Sequence, residues 1–237
     1  QPAGNIDVNR GESVTLLITP DPGYHLQSIS VNGEMVRGED LTYAEYIPFT
    51  YGPVTENVVI DIAFTGNTYT IRSFISNYDN IGMNGNPAIG GAIAPQGANT
   101  FDYGTTPTYT ITVSEHFHLY DVFVDNVSVM DQVVMVDENI YTYTFGNLED
   151  HHTIRAVVKI DTIMVTYNVT GGIATLNGEL VDATENSVVK EFFVDYGYNH
   201  TMTLVPVPGY YIQDVVTEGI SLGPVRQFVF RNVTEPK

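Results

Sequence analysis

The sequence predicts an all-β chain made of three tandem copies of one small antiparallel module, and three observations carry that expectation. The turn glycines Gly11, Gly104 and Gly197 are 93 residues apart, as are the aromatics Tyr24, Phe117 and Tyr210, which marks a tandem repeat. Between these markers apolar and polar residues alternate with period two in short runs, the pattern of half-buried strands. The composition, with 16 Tyr, 11 Phe, 21 Gly and 12 Pro, favours strands and turns, and no window reads as a long amphipathic helix.

The register divides the 237 residues into repeats 1–66, 67–160 and 161–237. Length alone allows one or two domains, but the repeat sets smaller units with modest cores. Junctions at Gly66-Asn67 and Ile160-Asp161 are short, so they give little reach for swinging, and an elongated arrangement is expected. A sandwich-like module is favoured, with a β-grasp-like one carrying a short helix as the alternative.

In the first repeat, Pro2-Ala3-Gly4 aligns with Pro95-Gln96-Gly97, so this copy enters without the strand that precedes that turn in the second. Val14, Leu16 and Ile18 fall at period two. After the turn at Gly23-Tyr24, residues 26–31 alternate and stop at Asn32-Gly33, a strong signal for a two-residue hairpin. Glu34-Met35-Val36 begins the return strand, and residues 46–49 and 58–64 supply closing strands.

The second repeat looks complete. It opens with a strand at 69–75, passes a Gly/Asn-rich loop at 77–91, and reaches Ala92-Ile93-Ala94. Residues 108–113 and 118–125 alternate, and Asp125-Asn126 stands where Asn32-Gly33 stood. Tyr141, Tyr143 and Phe145 share one face of a strand, and the last strand runs over 153–158. His116 replaces the glycine of Pro22-Gly23-Tyr24, which predicts a turn of different geometry.

The third repeat restarts at 164–169, passes Gly171-Gly172, and adds a hairpin around Asn177-Gly178 that has no counterpart. Residues 201–205 alternate, Pro208-Gly209-Tyr210 turns, and 228–234 match 143–149. Lys237 falls where a last strand would begin. The two incomplete ends are expected either of a piece of a longer array or of copies that exchange strands.

Every repeat is acidic: 28 acidic against 9 basic residues give a net charge of −19. Such a chain lacks the basic footprint for phosphate backbones and is repelled by anionic membranes, so neither nucleic acid nor membrane insertion is expected. With no cysteine there is no disulfide, thiol nucleophile or zinc–thiolate site.

The ordered series of motifs resembles the divergent internalin-B-type, or bacterial surface, repeats. It consists of Tyr103-Gly104 before a Thr-rich strand, Pro22-Gly23-Tyr24 and Pro208-Gly209-Tyr210 before a hairpin, Tyr143-Thr144-Phe145 leading to Asn147-Leu148, and the closing segment 152–158. The resemblance spans essentially the whole chain. It implies strand-rich modules in large exported bacterial proteins, located outside the cell and serving as stalks, spacers or adhesive segments. Their partners would be adjacent repeats, copies of the same protein, glycans or proteins of a host or neighbouring cell. It brings no catalytic residues.

The residues themselves point the same way. The sequence contains no G-x-S-x-G, H-E-x-x-H or glycine-rich phosphate loop, so no enzyme is expected. His116 with His118 and His151 with His152 form two pairs that a metal site would need. Asp79, Asn80 and Asn84 offer oxygen ligands in a flexible loop that would suit calcium, without the closing Glu of an EF-hand; no other cofactor is expected. Asp121 with Asp125, and Asp137 with Glu138, are weaker acidic clusters. Tyr78, Tyr196, Tyr198 and Tyr211 lie in turns and are the candidates for partner contact. Asn126, Asn168, Asn199 and Asn232 fit the N-glycan pattern, and Thr162 sits in a short bacterial O-glycan-like motif. The expected function is that of a non-enzymatic extracellular adhesin or stalk segment. The alternatives are a glycan- or protein-binding module of a secreted enzyme, or a filament subunit that exchanges strands.

Overall fold

The computed structural model describes residues 4–42, 44–78 and 90–237, and the regular structure in them is nearly all β-strand in several small antiparallel sheets. One 3₁₀ turn, Met130–Gln132, is the helical structure among the described residues. The chain divides into two compact units, one of residues 1–75, 92–112 and 121–156, the other of 76–91, 113–120 and 157–237.

In the first repeat β1 (Val14–Ile18) and β2 (Tyr24–Val31) are followed by β3 (Glu34–Arg37), β4 (Ile47–Tyr51) and β5 (Ile60–Gly66). β1 pairs with β4, Val14 opposite Tyr51, while β2 lies between β3 and β5. Asn32 and Gly33 take φ of +49° and +81°, the left-handed pair that a tight hairpin of matching twist needs. The Asn32 Oδ1 also accepts the Val59 N–H at 2.9 Å, which anchors the entry to β5. Alternation then sends Ile18, Leu26, Ile29 and Ile47 into a small core, with Leu16, Phe49, Ile60 and Ile62 packed around it.

The second repeat contributes β6 (Thr68–Asn77), β7 (Gly91–Ala94), β8 (Gly97–Asp102), β9 (Thr108–Val113), β10 (Phe117–Val124), β11 (Val127–Ser128), β12 (Val134–Asp137), β13 (Ile140–Thr144) and β14 (His152–Ile160). They form a five-stranded sheet, β11-β10-β14-β6-β8, and a four-stranded one, β12-β13-β9-β7. β8 has no alternation in its sequence and is held by its neighbour, Tyr69 of β6 standing opposite Phe101. Phe101 and Phe145 set their ring edges against the fully buried Tyr109, at 6.4 and 5.9 Å between centroids.

The third repeat has β15 (Thr162–Val169), β16 (Ile173–Leu176), β17 (Glu179–Asp182), β18 (Val188–Asp195), β19 (His200–Pro206), β20 (Val216–Thr217), β21 (Ile220–Ser221) and β22 (Gln227–Phe230). β15 pairs with β18, and β17-β16-β19-β22 form the main sheet over a core of Val165, Tyr167, Leu176, Val181, Val194, Met202 and Val233. The hairpin at Asn177-Gly178 is β16–β17. Its first strand takes the place beside β19 that β7 has beside β9, so among the described residues β17 is the addition.

Among the described residues, buried apolar side chains number five in the first repeat, seventeen in the second and nine in the third. Burial is the main stabilising term, so the second repeat carries the largest share of it.

Candidate functional site

The feature that recurs with the repeat and is built from the same positions each time is the junction. After β5 the chain passes through Asn67, a residue only 6% exposed. Its N–H donates to the Gly23 carbonyl at 2.7 Å, and its own carbonyl accepts the Tyr103 N–H at 3.0 Å. Its side-chain Oδ1 accepts from His25 Nδ1 at 2.8 Å. After β14 the chain passes through Asp161 in the same way. Asp161 donates to the His116 carbonyl at 2.9 Å and accepts the Tyr196 N–H at 2.8 Å. Its Oδ1 meets His118 Nδ1, again at 2.8 Å. Gly23 and His116, His25 and His118, and Tyr103 and Tyr196 are each 93 residues apart, while Asn67 and Asp161 differ by 94. Each junction residue is thus held at its N–H, its carbonyl and its side chain, and the first clasp lies within one compact unit, the second within the other.

The two clasps differ where their sequences do. In the first, Gly23 has φ +81° and lies under the Tyr103 ring, so that a Cβ added there would sit 2.2 Å from Tyr103 Cδ1. In the second, His116 keeps the left-handed backbone at φ +67°, as does Gly209 at +96° in the third repeat. The expected change of turn geometry is therefore corrected: the turn is retained with a non-glycine residue, at about 1 kcal/mol. The compensation is visible, since the His116 ring stacks on Tyr196 at 3.6 Å between centroids and 12° between planes.

His25 is 5% exposed and sets Nε2 3.0 Å from Glu39 Oε1. Both ring nitrogens therefore face oxygen acceptors, which the doubly protonated ring alone satisfies by donating from each. Burial opposes the charge. Hydrogen bonds to Glu39 and Asn67, with the negative charges of Glu39 and Asp40, outweigh it and raise the pKa above its ordinary 6.5. A raised folded-state pKa makes this stabilisation complete below about pH 6.5 and removes it as pH rises through the folded value. The stability advantage of the native chain over His25→Gln is accordingly expected to shrink between pH 6 and pH 8, measured by urea unfolding at each pH. An advantage that grows with pH contradicts this assignment.

The other histidines are engaged separately. His151 Nδ1 accepts the Thr70 N–H at 2.9 Å, and its ring meets the edge of Tyr69. His152 Nδ1 lies 2.6 Å from Asp125 Oδ2. Burial pushes the Asp125 pKa up, but the hydrogen bonds from His152 and from the Thr153 N–H leave it lowered. The two histidine pairs fall in different compact units, and no group of three or more His, Asp or Glu placed to hold a metal is found among the described residues. Asp121 accepts from Val122 N–H and Ser128 Oγ, and Asp137 from Glu138 N–H. Asp79, Asn80 and Asn84 lie outside the described residues.

Of the tyrosines singled out, Tyr196 is taken up by His116, while Tyr198 and Tyr211 are 50% and 83% exposed. Tyr78 is 46% exposed and packs on Tyr120 at 4.2 Å, with Lys159 Nζ 4.8 Å from its ring centroid. Thr162, Asn126, Asn168, Asn199 and Asn232 are all exposed. The sequence places boundaries at Asn67 and Asp161 but assigns these residues no role. The signal was an Asn or Asp just past each boundary, 42 and 43 residues after a histidine. No family model, curated protein or solved structure matches the chain.

Proposed function

We propose that the chain is a non-enzymatic spacer segment of an extracellular bacterial surface protein, built of three sandwich-like modules joined by clasped junctions. The observation that supports this reading is the recurrence of one junction geometry at Asn67 and Asp161. A chain that needed its modules to move independently has no use for a residue held at three points between them. Small-angle scattering of the purified chain tests it. An extended particle is expected, with a radius of gyration well above the roughly 18 Å of a compact domain of this length; a value near 18 Å contradicts the proposal.

A second reading, in which the same chain binds a glycan or a protein, is favoured by the exposed Tyr78–Tyr120 pair beside Lys159. Exposed aromatic faces next to a cation suit the apolar face of a sugar ring and an acidic substituent. On a glycan array this reading expects specific binding that Tyr78→Ala reduces at least tenfold. Absence of binding, or binding indifferent to that change, removes it.

A further inference from the structure

We infer that the solvent face of the second repeat's five-stranded sheet binds an acidic polysaccharide, with Arg72 and Arg155 as the groups that take its carboxylates. Charge points there first. The chain has 28 acidic and 9 basic residues, yet the adjacent strands β6 and β14 contain no Asp or Glu, while Arg72 stands on β6 and Arg155 on β14. Alternation turns both side chains outward. Along β6, Tyr69, Ile71 and Ser73 are buried while Arg72 and Phe74 are exposed. Along β14, Ile154 and Ala156 are buried and Arg155 between them is not. Phe123 of β10 follows the buried Val122 and so faces the same way. Arg72, Phe74, Phe123 and Arg155 all belong to one compact unit.

Neither arginine is taken up by the protein's own acids. Arg37, Lys190 and Lys237 each meet a carboxylate, whereas among the described residues Arg72 and Arg155 meet none within ion-pairing distance. Arg155 lies over the Phe123 ring instead, its Cζ 4.5 Å from the centroid. A guanidinium held against a ring in this way keeps its fork of N–H donors for a carboxylate. Arg72 stands opposite the exposed Ala98 of β8, a side chain too short to cover it. Of the carboxylates on the flanking strands, Asp121 Oδ1 is occupied by the Val122 N–H and Ser128 Oγ, and Asp102 is at the far end of β8 opposite Thr68.

The occupant that fits is a chain of uronic acid sugars. The apolar face of a sugar ring packs on aromatic surface such as Phe74, which is 44% exposed, and its carboxylate pairs with a guanidinium. β6 and β14 are neighbours, and strands so paired lie roughly 4.8 Å apart, so both arginines can serve one such chain. Thr70 and Thr153, half-buried on the same two strands, add hydroxyls. An acidic polypeptide fits less well. β6 and β14 each have a strand on both sides, so this face offers side chains and no free backbone edge for strand addition. A second copy of the chain would bring a net charge of −19 against −19, a long-range repulsion.

The test is equilibrium binding of the full 237-residue chain to fluorescent oligogalacturonate, with the methyl-esterified oligomer and poly-glutamate as comparisons. Saturable binding of the acid is expected, weakening as NaCl is raised, with the ester bound roughly tenfold or more weakly. Arg72→Glu and, separately, Arg155→Gln are expected to weaken binding of the acid by roughly tenfold or more, and Phe74→Ala to weaken it as well. Arg72 and Phe74 are exposed, so their variants should fold, which circular dichroism verifies. No binding of oligogalacturonate, equal binding of its ester, or binding indifferent to both arginine variants overturns the inference. So does poly-glutamate bound as tightly through the same arginines, since that assigns the face to an acidic polypeptide. Binding lost on Tyr78→Ala but kept by both arginine variants overturns it too, and assigns the glycan to the Tyr78–Tyr120 pair. None of these outcomes depends on the particle dimensions that test the spacer reading.

Discussion

Gly23→Ala is expected to destabilise the chain by about 2–4 kcal/mol, from a left-handed backbone that costs a non-glycine residue about 1–2 kcal/mol and an overpacking cost of about 1–3 kcal/mol. The overlap is specific, since the added Cβ would come within 2.2 Å of Tyr103 Cδ1 and 2.7 Å of Cγ. Tyr103→Ala in the same chain should therefore recover the steric part and leave the backbone part, giving a favourable coupling in a double-mutant cycle. The equivalent change in the second repeat, His116→Ala, has no backbone penalty to add, because His116 already has φ +67°. It should cost about 1 kcal/mol, the lost stack on Tyr196. Urea unfolding followed by tyrosine fluorescence reads both, the chain having 16 Tyr and no Trp. Equal effects at the two positions would show that the clasps are not built as described.

Ile154→Ala is expected to cost about 2–5 kcal/mol, the range for emptying a fully buried aliphatic site. Its counterpart Ile60→Ala should cost about 1 kcal/mol, because a half-buried side chain has less apolar surface to lose. The contrast follows from the surroundings and not from the residue type: Ile154 is 0% exposed in β14, which has neighbours on both sides in its sheet, while among the described residues β5 is an edge strand with β2 alone beside it. The same denaturation experiment decides it. Comparable losses at the two isoleucines would mean that β5 is as well covered as β14.

Strands that bury one face were legible in the sequence because alternation records that burial directly, as Val14, Leu16 and Ile18 do in β1 and Tyr141 and Tyr143 do in β13. Hairpins at Asn32-Gly33 and Asn177-Gly178 were legible because those residues tolerate positive φ. β8 and β18 were not, since Gly97–Asp102 lacks periodicity and Val188–Asp195 mixes it with charge; each is a strand because β6 or β15 offers it an edge. That dependence is non-local, so neither segment announces its strand in its own residues. The clasps escaped for a similar reason. His25 and Asn67 are 42 residues apart, and nothing in either neighbourhood announces the other. His116 and His118 looked like a pair of metal ligands because they stand two apart, yet one stacks on Tyr196 and the other bonds Asp161.

The clasp itself is open to a direct measurement, since the chain has no cysteine and labels attached at introduced ones report from chosen places. Glu34 in the first repeat and Asp131 in the second are both exposed, and both belong to the same compact unit. With spin labels at Glu34→Cys and Asp131→Cys, the distance distribution across the first junction is predicted to be a single narrow peak, broadening when Asn67→Gly removes the side-chain hold on His25. A broad distribution in the otherwise native chain, or a narrow one that Asn67→Gly leaves unchanged, would contradict a junction held rigid by this clasp.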